Sequence, residues 1–275
     1  MLLYKTPYSI IAALYIALTS FIFLRFFVDN MLISNMRFSL LTYNLKLNKA
    51  AENTLELLKK YEPDIICLQE MQTDEKNLKS IENAGYLLAD YSISFIRRGK
   101  IFGVTTFYKP STFSIIKSNS FNLPTNFYQV ISFVLHGNKK PRTVLKSQLV
   151  HKETKKVIDL YNIHLSPFAT NQLRTKQIKN TLNDMSLNNK NAVIIAGDFN
   201  YPYGRKRFEE QIIEYKLKEA TNNINFTLEK RIMRNLTIKL KLDYILYKKL
   251  KVLSNEKINN FNKSDHFPII STFSF

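Results

Sequence analysis

Six short stretches pair an apolar run with a group able to hold a metal ion or move a proton. They are Asn44 in LTYNL, Glu70 in PDIICLQE, His164 in YNIHLSP, Asp198 and Asn200 in AGDFN, Asp243 in LDYIL, and Asp265 with His266 in SDHFP. Taken singly, each has an ordinary explanation. A carboxylate after a strand is commonly a solvated turn residue or a helix cap, and Gly-Asp is a frequent turn pair. Together, acidic, amide and imidazole groups are what hydrolysis of a phosphoester requires. A phosphodiester is anionic and repels nucleophiles, so a hard divalent cation must neutralise its oxygens. Mg²⁺ takes oxygen ligands and keeps several waters, so one or two carboxylates suffice to hold it. The attacking water needs an acceptor for its proton and the departing alkoxide needs a donor. Histidine beside aspartate supplies an imidazole of fixed tautomer and raised basicity. Cys67 is the single cysteine, which excludes an intramolecular disulfide and a Cys-cluster zinc site.

The elements that must position these groups are legible as patterns. RFSLLTYNL, DIICLQE, IFGVTTFY, QVISFVLH, KVIDLYNIHL, NAVIIAGDF and KLDYILY are short, apolar and rich in β-branched or aromatic residues, and read as strands. Helical spacing runs over 49–61 through Ala51, Leu55, Leu58 and Tyr61. It is looser over 171–186 (Leu173, Ile178, Leu182, Met185) and returns over 207–218 (Phe208, Ile212, Tyr215). No repeat or Pro/Gly/Ser linker interrupts 36–275, so the pattern predicts one α/β domain with strands as scaffold and helices outside. Several of the polar residues then sit at strand ends, where loops expose them.

In order and spacing, TYN, PDIICLQE, IHLSP, GDFN, LDYIL and SDHFP resemble the endonuclease/exonuclease/phosphatase superfamily, the DNase I-like fold, from about Arg37 to the C-terminus. The resemblance implies a four-layer α/β sandwich, two packed β-sheets flanked by helices, as the catalytic domain over 36–275. It implies Glu70 as the principal ligand of Mg²⁺ (or Mn²⁺), with Asn44 beside it and Asp265 as a second metal-side carboxylate. Asp198 and Asn200 resemble the pair that orients the attacking water and the phosphate. His266 resembles the imidazole at the scissile phosphate, as base or electrostatic stabiliser, and Asp243 the carboxylate that holds it. His164 resembles the histidine of DNases and sphingomyelinases that protonates the leaving group or binds phosphate. Abasic-site endonucleases usually carry tyrosine there. Arg174 and Gln177 follow at the R-x-x-Q spacing of many members and are expected at the substrate; a solvated helix face is the alternative. Some DNases pair the leaving-group histidine with an acid in the preceding sheet, but residues 91–108 contain none.

Charge and hydropathy bear on partners. Lys5 and Arg25 bracket a charge-free stretch of 19 residues, Thr6 to Leu24. As a helix this spans roughly 28 Å, close to a bilayer's hydrocarbon thickness. The expectation is a single-pass membrane anchor over 1–35, its helix at about 6–28, in preference to a cleaved signal peptide: the stretch exceeds the usual apolar region and no A-x-A site follows. Flanking charges nearly balance, and the usual signal-anchor arrangement puts the catalytic domain outside the cytoplasm. Forty Lys and Arg against 22 Asp and Glu give +18, a charge suited to a polyanion. Basic clusters lie at Arg97, Arg98 and Lys100, at Arg205–Arg207, and across 230–251. Nucleic acid is the expected substrate; phospholipid head groups, as for a sphingomyelinase-like or phosphoinositide phosphatase-like enzyme, are the alternative. A non-catalytic binding module would have lost groups that are all present here.

Overall fold

The computed structural model describes residues 19–20, 37–126, 142–167, 169–188, 190–234, 236–261 and 263–275. The expected anchor helix lies outside the described residues, save Thr19 and Ser20, and so does the expected strand QVISFVLH at 129–136. Among the described residues, no helix is long and apolar enough to cross a membrane. Residues 38–275 form one compact unit.

Two β–α–β units carry the architecture. The first is β1 (Arg37–Asn44), α1 (Ala51–Tyr61) and β2 (Ile65–Gln72), with β1 and β2 parallel. After it come α2 (Glu75–Glu82), β3 (Leu87–Arg97), β4 (Lys100–Tyr108), β5 (Phe113–Asn122) and β6 (Thr143–His151). The second unit is β7 (Val157–His164), α3 (Asn171–Ser186) and β8 (Ala192–Asp198), with β7 and β8 parallel. The chain then adds α4 (Arg205–Glu214), β9 (Lys218–Glu219), β10 (Leu228–Met233), β11 (Leu236–Leu240), β12 (Asp243–Lys248), β13 (Lys251–Lys257) and β14 (Ile269–Ser274). One six-stranded sheet has the order β13-β14-β1-β2-β4-β3 and the other β5-β6-β7-β8-β12-β9, while β10 and β11 form a separate two-stranded hairpin.

Alternation along the central strands builds the layers. Leu40, Ile65 and Cys67 of the first sheet pack against Leu160, Ile194 and Ile245 of the second. Their neighbours point the other way. Leu41, Tyr43, Ile66 and Leu68 meet Leu57 and Leu58 of α1 and Ile81 of α2. Tyr161, Ile163, Val193 and Ile195 meet Ile178 and Leu182 of α3 and Phe208 and Ile212 of α4. This is the four-layer sandwich. Strands covered on both faces must be apolar throughout, which is why these four read so clearly. A buried amide pair joins the sheets: Gln69 Nε2 donates to Asn162 Oδ1 at 2.9 Å, and Asn162 Nδ2 to the Thr105 carbonyl at 2.8 Å.

Two helices differ from their sequence reading. Helix α1 buries Asn53, Thr54, Leu57 and Leu58, a face rotated from Ala51–Leu55–Leu58–Tyr61, because Thr54 returns its hydroxyl to the Ala50 carbonyl at 2.9 Å and sits inward at no polar cost. Helix α4 starts at Arg205, just past Gly204 (φ 82°), and stops at Glu214, since Lys216 turns left-handed (φ 57°) and Lys218 enters β9.

Candidate active site

The parallel pairs in the two sheets end together, and the polar residues stand at those ends. Register sets Asn44 opposite Gln69, His164 opposite Asp198, and Asp243 of the antiparallel β12 opposite Asp198. Carboxyl ends of parallel strands are where open α/β sheets bind ligands. Glu70 lies within a break in the β2–β4 register between Leu68 and Met71, and its φ is 55°. Lys46, Leu47 and Asn48 are left-handed as well, with φ of 49°, 56° and 63°. Non-glycine residues adopt this conformation at a cost, so surrounding bonds must hold it. Here Leu47 N–H donates to Glu70 Oε2 at 2.8 Å and Asn48 N–H to the Glu70 carbonyl at 3.0 Å. Gly197 has φ 139°, and a Cβ there would lie 2.0 Å from the Ile163 carbonyl oxygen. Only glycine lets β8 deliver Asp198 so close to β7.

Asp198 is the hub. It is buried, and Oδ2 accepts Asn44 Nδ2 at 2.9 Å while Oδ1 accepts the Asn200 N–H at 2.8 Å. Asn200 is anchored in turn by its Nδ2 on the Leu165 carbonyl at 3.1 Å. The Nε2 atoms of His164 and His266 lie 3.7 and 3.8 Å from Asp198 Oδ2. Burial pushes the Asp198 pKa up to about 7, with Asp243 adding to the rise and His266 opposing it. His266 Nδ1 meets Asp243 Oδ2 at 2.8 Å. Burial works against a charge on His266, but Asp243 and Asp198 outweigh it and hold its pKa up at about 10.

Sequence reasoning missed several of the residues around this hub. Thr227 Oγ donates to Asp243 Oδ2 at 2.7 Å and accepts the N–H groups of Leu242 and Asp243, each at 2.9 Å. Ser264 Oγ donates to the Asn44 carbonyl at 2.8 Å and accepts His266 N–H at 3.1 Å, pinning the SDH turn to β1. Lys46 Nζ pairs with Asp265 Oδ2 at 3.1 Å. Arg142 is buried, and its NH1 lies 3.3 Å from His164 Nδ1. An arginine opening an apolar strand is its only sequence signal. Burial drives the His164 pKa well below the usual value, and Arg142 and His266 push the same way.

Arg174 and Gln177, expected at the substrate, direct their polar atoms into the turn after His164, and both are buried rather than on a solvated face. Arg174 donates to the Ser166 carbonyl at 3.1 Å, to the Pro167 carbonyl at 2.6 Å and to Asn171 Oδ1 at 3.0 Å. Gln177 Nε2 donates to Ser166 Oγ at 3.0 Å and to the Pro124 carbonyl at 2.9 Å.

The donor set fits a hard divalent cation. Glu70 and Asp265 are the partly open carboxylates, with side chains 19% and 14% exposed. Glu70 Oε2 is held by the Leu47 amide, which leaves Oε1 turned to His164 at 3.8 Å. Asp198, Asp243 and His266 also bring ligand atoms within 4.8 Å of one another, but the Asp243 oxygen is already bonded to His266 and Thr227. Oxygen-rich, partly open sites of this kind suit Mg²⁺, which keeps several waters of its own.

Comparison with known proteins bears on the family and the fold. The model of the Endonuclease/Exonuclease/phosphatase family matches residues 35–266. No individually curated protein matches the sequence. Among solved structures, the human nocturnin catalytic domain with bound sulfate is 19% identical, with a TM-score of 0.68 over 87% of this chain and 94% of that one. ANGEL2, a 2′,3′-cyclic phosphatase solved with adenosine-2′,3′-vanadate, is 18% identical, with a TM-score of 0.69 over 86% and 95%. A mannosyl-6-phosphatase of Bacteroides thetaiotaomicron is 17% identical, with a TM-score of 0.66 over 86% and 100%. At such identities the likeness is one of fold, and the family match is what classifies the sequence. The chain belongs to the endonuclease/exonuclease/phosphatase family, hydrolases acting on phosphoester bonds.

Proposed function

We propose that this chain is a divalent-metal-dependent phosphodiester hydrolase, a nuclease acting on DNA or RNA and anchored in a membrane by residues 6–28. The observation that carries the chemistry is the convergence of Glu70, Asp198, Asp243, Asp265, His164 and His266 where both sheets end. Glu70, with Asn44 and Asp265 beside it, would hold Mg²⁺ or Mn²⁺, which when bound neutralises the phosphate oxygens. Asp198 accepts the proton of the attacking water. Its carboxylate is fixed by Asn44 and Asn200, and a pKa of about 7 suits a base at neutral pH. The water oxygen bonds to phosphorus as the bond to the leaving oxygen breaks, and the departing alkoxide takes its proton from solvent water. His266, kept charged by its two aspartates, stabilises the phosphate as a donor; a group with a pKa of about 10 is already protonated and is no base at neutral pH.

Basic groups at both ends of this floor favour a nucleic-acid strand. Exposed Arg97, Arg98 and Lys100 form the β3–β4 turn, two to five residues beyond Phe95, whose ring lies 6.4 Å from that of His164. Exposed Lys230, Arg231, Arg234 and Lys239 decorate the β10–β11 hairpin, which is rooted by a Leu228–His266 bridge. A second reading rests on the same hairpin: Ile232, Met233 and Leu236 are 46%, 68% and 48% exposed. Aliphatic side chains among cations also suit an anionic lipid surface. The test is a panel of double-stranded DNA, RNA, sphingomyelin and phosphoinositides with Mg²⁺. Cleavage of nucleic acid alone supports the first reading; turnover of lipid alone replaces it with the second.

The anchor rests on the sequence between Lys5 and Arg25, and an extracytoplasmic catalytic domain follows from the usual signal-anchor arrangement. Protease added to intact cells or spheroplasts tests it. Loss of the domain with the cytosol sealed supports the outward topology, and protection until lysis overturns it.

A further inference from the structure

The partner of His164 is a cation, and that has a chemical consequence. A guanidinium carries five N–H donors and no acceptor. Arg142 NH1 lies 3.3 Å from His164 Nδ1. That contact is a hydrogen bond only when Nδ1 is the unprotonated acceptor, and the ring's proton then resides on Nε2. Nε2 has no hydrogen-bond partner among the described residues, although it is fully buried. It points at Glu70 Oε1 (3.8 Å) and Asp198 Oδ2 (3.7 Å), both beyond hydrogen-bond range. An unsatisfied buried donor is costly, so one aimed between two site carboxylates calls for an acceptor oxygen. Arg142 is not free to turn away. Its guanidinium lies 4.6 Å from the Phe95 ring centroid, and Phe95 stacks on Phe102 at 5.2 Å. Among the described residues it forms no ion pair within 4.0 Å; Glu70 and Asp198 act on its charge from farther off, and the side-chain polar atom it meets is the imidazole Nδ1.

We infer that Arg142 is a positioning residue that fixes His164 as a neutral imidazole with Nδ1 accepting, so that Nε2–H serves as a polarised hydrogen-bond donor to a substrate phosphate oxygen. Accepting a bond from a guanidinium draws electron density out of the ring and strengthens the opposite N–H as a donor. His164 therefore presents much of the donor strength of an imidazolium without carrying a removable proton. It hydrogen-bonds the phosphate but transfers nothing to the leaving group. The inference rests on the phosphodiesterase reading for the identity of the oxygen, and not for the tautomer.

The test reads the tautomer directly. Full-length protein labelled with ¹⁵N-histidine contains four histidines, His136, His151, His164 and His266, assignable through single His→Gln variants. Long-range ¹H–¹⁵N spectra are expected to give His164 a pyridine-type Nδ1 and a pyrrole-type Nε2. Arg142→Met is expected to shift that signature toward the Nδ1–H form, and Arg142→Lys, which keeps a donor, to retain it. With bis(p-nitrophenyl) phosphate as probe, Arg142→Met should lower kcat about tenfold and Arg142→Lys should recover part of the loss. A protonated Nδ1 in the wild type, or an unchanged His164 signature in Arg142→Met, overturns the inference. Should Arg142→Met not fold, the wild-type and Arg142→Lys spectra still decide. Should the protein cleave no phosphodiester, the proposed function fails while the tautomer remains readable.

Discussion

His266 and His164 both aim Nε2 at the same oxygen, Asp198 Oδ2, at 3.8 and 3.7 Å. Behind the rings the surroundings are opposite. His266 Nδ1 meets a carboxylate, Asp243, at 2.8 Å, and His164 Nδ1 meets a guanidinium, Arg142, at 3.3 Å. Both rings are buried, so burial alone would discharge both. The partner decides whether burial prevails: Asp243 and Asp198 overcome it and raise one imidazole to about 10, whereas around His164 burial prevails, with Arg142 and His266 pushing the same way, and the pKa falls well below 6.5. Two residues of one type are thereby set apart at neutral pH, His266 toward the cation and His164 toward the neutral ring. Pairs whose environments separate their pKa values in this way mark division of labour in an active site.

The most severe test removes what both imidazoles serve. Excess EDTA is expected to abolish turnover, and Mg²⁺ or Mn²⁺ to restore it. Full activity in chelator would show that the oxygen-rich floor around Glu70 needs no cation, and the roles of both rings would have to be reassigned. Next in size are the residues of the charged half. Glu70→Ala, Asp198→Ala and His266→Ala should each lower kcat by at least about a hundredfold with the fold intact by circular dichroism. Near-normal kcat in His266→Ala would remove that ring from the mechanism. The neutral half should cost less. His164→Ala is expected to lose about tenfold in kcat, and His164→Gln, which still offers an N–H, to lose less. Equal losses in the two His164 variants would argue against a donor role.

The contrast between the two rings also marks where sequence stops being informative. Asp243 and His266 sit in short motifs, LDYIL and SDHFP, whose strand-end positions were legible along with Asn44, Glu70, His164 and Asp198. The strands that carry them are covered on both faces and so are uniformly apolar. Arg142 could not be found this way. It lies just before β6 and belongs to no motif, and its meaning lies in a contact with His164 of β7 across the sheet. Thr227 and Ser264 were invisible for the same reason: a hydroxyl acquires a role only when folding supplies a particular carboxylate or carbonyl. The strands missed were β3, β5, β6, β9–β11, β13 and β14. Several of these are half exposed, as in β5 (FSIIKSNSFN) and β13 (KVLSNEK), and their polar residues mask the strand pattern. Helix α2 has eight residues with Ile81 its one buried side chain, too little for a helical stripe. Arg174 and Gln177 were legible as a spaced pair, but spacing could not say that both bond the Ser166–Pro167 turn.

A third charge cluster, around the buried Glu219, serves as the control for the two histidines, because its carboxylate is held by two cations and bonds none of the site residues. Glu219 on β9 pairs with Leu246 of β12, while Asp243 opens that strand at the site. Its side chain is 4% exposed and meets Arg205 and, at 2.8 Å, Lys241 Nζ. Burial alone would raise its pKa; the hydrogen bonds and charges of Arg205 and Lys241 prevail and hold it below the usual 4.5. A carboxylate with a depressed folded-state pKa contributes stability above its unfolded pKa, and the contribution disappears as pH falls through the folded value. Glu219→Gln is therefore expected to lower the unfolding free energy at neutral pH by about 1.5 kcal/mol, with wild type and variant converging as pH drops below 4.5. Chemical denaturation at stepped pH measures both. Activity per folded molecule should stay unchanged, unlike any change at Arg142, Asp243 or either ring. A constant gap between the two proteins down to the acid limit would mean that the Glu219 charge contributes nothing. A fall in kcat without loss of folded protein would mean that this cluster reaches the site, and the separation between charges that hold the fold and charges that tune the imidazoles would no longer stand.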